Sequence, residues 1–149
     1  MPCKLLNLAD QHGIMVLYWA FPPPLEGIYL HNPGLPPVIG LGRHLLSNYA
    51  RLRSVLAEEL GHHFTTIGKQ IPEEHYSYGR RLVCGQAEYR ARKWAALHLM
   101  PEPDLTLAIK SGIVAIWDLA EYFRVSEEMA KLRLYIAQRE SEDFIRRVL

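Results

Sequence analysis

Glu58, Glu59, His62 and His63 lie together in the stretch LAEELGHHF, residues 56–64. On a helix, residues four apart are neighbours, with Cβ atoms about 6 Å apart. A carboxylate at 58 and an imidazole at 62 could therefore grip one cation between them. Glu59, one position on from Glu58, could take a proton from a water that such a cation activates. This is the H-E-x-x-H arrangement with its first histidine replaced by Glu58, and carboxylate oxygen is an accepted zinc ligand. The frame one residue later, Glu59 with His63, puts Leu60 at the proton-transfer position and has no such chemistry. On a helical wheel Glu58 and His62 flank the apolar stripe of Tyr49, Leu52, Leu56 and Leu60, with Glu59 between the pair and the stripe. His63 falls on the stripe and reads as a packing or supporting residue. The same residues also fit a solvated helix face, whose Glu58–His62 pair would be worth roughly a few tenths of a kcal/mol.

A closed metal site needs one more protein ligand. Further along, Glu88, Ala91 and Ala95 share one helix face, and alanines at 87, 91 and 95 allow another helix to approach closely. A carboxylate on a small-residue face suits a metal held between two helices. It equally suits an exposed glutamate beside a tight helix contact.

LAEELGHHF followed by EYRARKWAALHLMP (Glu88 to Pro101) resembles the ImmA/IrrE family of metallopeptidases. That family pairs an H-E-x-x-H helix with a later E-x-x-A-(N/D)-x-F-A-x-x-L-x-x-P type segment. Glu88, Ala91, Ala95 and Leu99 to Pro101 match, and Trp94 takes the phenylalanine place. Arg92 stands where Asn or Asp is usual. The resemblance covers roughly residues 14 to 135. It implies Glu58, His62 and Glu88 as metal ligands and Glu59 as general base, with zinc the expected ion and manganese or iron also suited. It further implies an endopeptidase acting on a helix-turn-helix repressor, often encoded nearby in a phage or mobile element, so that cleavage switches genes on. The alternative is a non-enzymatic module that keeps the fold and grips a repressor or antitoxin.

Glu58 changes the electrostatics of such a site. Two carboxylates and a neutral histidine bring Zn²⁺ to a formal charge of zero, where His, His and Glu would leave +1. A less positive site acidifies water less, and oxygen ligands widen tolerance for manganese or iron. The expectation is a slower or more alkaline-shifted hydrolase, or one whose working metal is not zinc.

The elements that must position these residues read as an α+β chain, strands first and helices after. An opening helix over 3–12 ends at Gly13. Strands follow over 14–20, 27–30 and 37–41, joined by proline-rich turns, and are expected to form a small antiparallel sheet. The period then becomes helical over about 47–65 and again over 86–99, with an irregular stretch at 66–80 between them. Shorter helices are expected over 104–110, 113–123 and 126–137, with a tail to 149. The whole reads as one domain, 1–149, with sheet and metal-site helices in 1–102 and a helical, helix-turn-helix-like part in 103–149. The 149 residues suffice for one real core, and 49% hydrophobic and 22% charged residues are ordinary globular values.

The net charge of +1 disfavours a strong electrostatic nucleic-acid binder. The two cysteines, Cys3 and Cys84, make no disulfide framework and no C-x-x-C pair. A reducing, cytoplasmic setting is the expectation. The apolar run 14–21 is too short for a membrane span and has no signal-peptide layout.

In the irregular stretch, His75, Tyr76 and Tyr78 are candidates to stabilise an oxyanion or contact substrate, though an ordinary tyrosine-bearing loop reads as well. His98 is a structural histidine, and His12, His31 and His44 have no partner spacing. The segment 118–135 looks like a helix-turn-helix with Ser126 as N-cap. Glu127 and Glu128 occupy the turn that would approach bases, so packing or partner recognition is expected there rather than DNA reading. An extended substrate is expected to pair with an edge strand beside the site helix. The strand at 38–41, with Gly40 and Gly42, is the candidate.

Overall fold

The computed structural model describes residues 2–66 and 78–148, and side chains within these except over 78–84 and 143–148. It is an α+β structure in which a three-stranded sheet is outweighed by helices. Helix α1 (Cys3–Gln11) is closed by Gly13, whose φ of +67° suits a residue without Cβ. Strands β1 (Met15–Trp19), β2 (Gly27–Leu30) and β3 (Val38–Gly42) follow, then a 3-10 turn over Arg43–Ser47. Helices α2 (Tyr49–Thr66) and α3 (Tyr78–Leu99) carry the candidate chemistry. Helices α4 (Glu102–Lys110), α5 (Ile116–Phe123) and α6 (Glu127–Val148) complete the chain.

The sheet is mixed, not antiparallel as expected. Its order is β1-β3-β2, with β1 parallel and β2 antiparallel to β3. Local patterns fix the strands but not their order. Pro22 to Pro24 remove backbone donors where a β1–β2 hairpin ladder would start, and the chain crosses to the far side of β3 instead. The strand at 38–41 is therefore central, paired on both sides, and offers no edge to a substrate. Its glycines have another use. A Cβ on Gly40 would lie 3.0 Å from both the Phe21 ring and the Ile28 side chain, and one on Gly42 would strike the His44 ring.

The inner face of the sheet, Ile39 and Leu41 foremost, packs on α2 through Leu52, Val55, Leu56 and Leu60. Helix α3 starts eight residues before the expected Gln86, running through Gly79, which falls in the stretch expected to be irregular, and through Gly85. It crosses α2 at Gly61, where an added Cβ would strike the Ala91 carbonyl. Ala87, Ala91 and Ala95 are all buried, as the small-residue face requires. Helix α6 is continuous where a shorter helix and a tail were expected.

The helix-turn-helix-like part joins this core through specific polar contacts. Arg124 closes α5 in the left-handed region, φ 54°, and Arg53 of α2 donates to the Phe123 and Arg124 carbonyls. Ser126 caps α6, its Oγ accepting from the Met129 N–H at 3.2 Å. Arg133 is 1% exposed and donates from Nε to the Met100 carbonyl at the end of α3, 2.7 Å away. Arg51 is held by Glu26 on one side and by Glu128 of α6 on the other. Among the described residues, no helix is long and apolar enough to cross a membrane.

Candidate metal centre

Gly61 and Ala91 bring the two helices into near backbone contact, and this close crossing sets the site. Beside it, His62, the residue after Gly61 on α2, meets Glu88, one turn before Ala91 on α3, Nε2 to Oε1, at 3.1 Å. Tetrahedral zinc with bonds near 2.1 Å holds neighbouring donors about 3.4 Å apart, so one ion could bridge this pair after a small relaxation.

Glu59 is largely buried beneath them. A Cβ on Gly27 of β2 would come within 3.0 Å of its Oε1, so glycine at 27 is what lets the carboxyl sit between strand and helix. Burial pushes the Glu59 carboxyl from 4.5 up to about 7, with the Glu88 and Glu58 charges adding to the shift and His62 opposing it. A carboxyl balanced near neutrality suits a general base. Burial also raises Glu58, against the pull of Arg92 and Arg51.

The hydrogen bond to His62 holds the Glu88 carboxyl below its ordinary range despite some burial. For His62, burial favours the neutral ring, but Glu88, Glu59 and Glu58 together outweigh it and the net shift is upward. Three carboxylates crowd one imidazole, and their mutual repulsion is relieved by a cation. The donor set thus fits a divalent metal.

Glu58 is turned elsewhere. Its Oε1 lies 3.9 Å from Arg92 Nε, and among the described residues no three His, Cys, Asp or Glu side chains already converge on one point. The convergence expected of three ligands is seen for two, and Glu58 would have to rotate to join them. Glu58 and Arg92, both departures from the family pattern, thus face each other. Arg92 returns a positive charge to a site that Glu58 makes less positive.

His63 supports the site, as its place on the stripe suggested. It is 8% exposed, and its Nδ1 shares a hydrogen bond with the Tyr29 hydroxyl on β2 at 2.8 Å. Its ring also meets His12 and Phe64 edge-on. Gly27 and Tyr29, two residues apart on β2, therefore run along α2 beside Glu59 and His63. The strand edge next to the site is that of β2.

His98 stacks on Trp94 with centroids 4.7 Å apart, and Trp94 on Phe64. His44 reaches Glu26 at 3.7 Å, a pairing its sequence spacing did not suggest. His75 and Tyr76 lie outside the described residues, as does the side chain of Tyr78, the first residue of α3. Arg92, Gly27 and Tyr29 were given no site role from sequence. Gly61 carried a usable signal, because glycine inside a helix costs about 1 kcal/mol relative to alanine and implies a tight neighbour.

An amphipathic helix bearing two carboxylates and an imidazole, crossed closely by a helix that adds a third carboxylate, is the donor arrangement of a metallopeptidase-type site. The family model Peptidase_M78, IrrE N-terminal-like domain, matches residues 9–135, and the chain belongs to that family. No curated protein matches the chain.

Proposed function

We propose that the chain is a metal-dependent endopeptidase whose ion is held by His62 and Glu88, with Glu58 as third ligand and zinc as the expected metal. The observation that carries this reading is the His62–Glu88 contact at 3.1 Å across two helices, one turn from a part-buried Glu59. The cation, when bound, supplies Lewis-acid polarisation of the scissile carbonyl and acidifies water.

The protein's own residues do the rest. Glu59, with a carboxyl pushed up to about 7, accepts the proton of the attacking water and returns it to the leaving amine. The missing Cβ at Gly27 leaves room for that carboxyl against β2. Tyr29 fixes the His63 ring, and with it the line of β2 along α2. The free edge of β2 offers backbone donors and acceptors to an extended peptide.

The proposed substrate is a helix-turn-helix repressor of a phage or mobile element, and the proposed setting is cytoplasmic. The test is co-incubation of purified metal-loaded protein with repressors encoded beside its gene. Cleavage of one of them, lost in Glu59→Gln while metal content is kept, supports the reading. Tight repressor binding with equal, zero cleavage by wild type and Glu59→Gln would replace it with a binding module.

A further inference from the structure

The geometry points to β1 as a homodimer interface, in which two copies of the chain pair their β1 strands antiparallel about a two-fold axis at Leu17. This goes beyond the peptidase reading and stands independently of it, because β1 lies at the sheet edge away from β2.

The first observation is an unprotected edge. Among the described residues β1 pairs with β3 alone, in an unbroken one-to-one register from Met15↔Val38 to Trp19↔Gly42. Natural edge strands are blunted by charges, prolines or bulges. Residues 14–21, IMVLYWAF, contain no charge and no proline, and the register contains no bulge.

The second observation is which backbone groups are free. The Met15 N–H donates to the Pro37 carbonyl, so Met15 faces β3. Alternation along the strand turns Leu17 and Trp19 the same way and leaves the N–H and C=O of Val16 and Tyr18 directed at the open edge. With the axis at Leu17, Val16 of one copy lies opposite Tyr18 of the other. Each such couple exchanges both backbone bonds, four in all, and Leu17 meets its own copy as a non-hydrogen-bonded pair.

The third observation is the side chains. Met15, Leu17 and Trp19 share the outer sheet face and are 48%, 46% and 63% exposed. Toward the middle of that face Gly40 is covered by Phe21 and Ile28, so exposure increases toward the open edge. The two-fold sets Met15 of one copy against Trp19 of the other and Leu17 against Leu17. These are apolar cross-strand pairs with no like charges to oppose them. A self-complementary patch of this kind is what an isologous interface requires. The result is a six-stranded sheet, β2-β3-β1 and its mirror order, with both β2 edges and both candidate metal sites at its outer ends. An interface of four backbone bonds and three apolar pairs per two-fold is small, so a dimer that exchanges with monomer is expected.

The test is sedimentation of the whole chain with and without Leu17→Lys, plus disulfide trapping with Leu17→Cys in a background where Cys3 and Cys84 are serine. Wild type should dimerise across roughly 1–100 μM, and Leu17→Lys should weaken the dimer at least about tenfold while keeping the wild-type circular dichroism spectrum. Leu17→Gln serves if the lysine variant does not fold. A Cα separation near 4.5 Å at Leu17 permits a disulfide, so Leu17→Cys should crosslink readily. Met15→Cys alone, whose two copies lie about four residues apart along the strand, should not. A monomer throughout that range, a dimer indifferent to charge at 17, or crosslinking by Met15→Cys as fast as by Leu17→Cys would overturn the inference.

Discussion

Replacing Glu59 by glutamine should abolish activity and, at alkaline pH, stabilise the metal-free fold. Burial, with added repulsion from Glu88 and Glu58, raises this carboxyl from 4.5 to about 7. A raised carboxyl means the fold disfavours its ionised form. Its contribution is most favourable below about pH 4.5 and is lost progressively as pH rises through about 7. At about 1.4 kcal/mol per pH unit, ionised Glu59 costs the folded state about 3 kcal/mol at pH 8. Glutamine at 59 keeps the shape and cannot ionise. In urea titrations with chelator present, wild type and Glu59→Gln should differ by less than about 1 kcal/mol at pH 5 and by up to about 3 kcal/mol at pH 8, with the variant more stable. In melting temperature that is roughly 6–12 °C. His62 is raised as well, its stabilisation likewise lost as pH rises, but it titrates in both proteins, so the difference between them isolates Glu59 and its coupling to His62. An equal stability difference at pH 5 and pH 8 would refute the reasoning, because a packing effect has no such pH dependence.

Other perturbations follow from single contacts. Gly61→Ala should cost at least about 1–3 kcal/mol in denaturant unfolding, because its methyl would strike the Ala91 carbonyl, and the variant should also lose metal affinity as the helices part. Tyr29→Phe leaves the buried His63 Nδ1 without its hydrogen-bond partner and should lower stability by about 1–3 kcal/mol in the same assay. Arg92→Ala removes a positive charge beside Glu58. Because this pair is part-exposed, the expected gain in zinc affinity by calorimetric titration is modest, roughly two- to fivefold, and the pH–rate profile should move to higher pH. Arg124→Gly relieves a left-handed residue at the end of α5 and should add about 1 kcal/mol to stability in urea titrations.

Much of this molecule was readable before any coordinates, for physical reasons that differ by element. Apolar periodicity marked α2, and the alanines at 87, 91 and 95 announced the tight face of α3. Gly27–Leu30 stood out between prolines as a strand. Strand order was not readable, because β3 enters between β1 and β2 through contacts far apart in sequence. The same holds for Arg92, which looked like a departure from a pattern until its side chain was placed beside Glu58. Nothing local in the sequence marks Arg133 for burial, yet it is buried against the end of α3. The Tyr29–His63 bond joins residues 34 apart, and no local pattern could have linked them.

The most direct test of the central claim is the metal content of protein purified without chelator or added metal, read by elemental analysis for wild type, Glu88→Ala and His62→Ala. The account predicts a single divalent ion per wild-type chain and its loss in both variants. Wild-type protein that retains no ion even after reconstitution, or variants that bind as much metal as wild type, would contradict it.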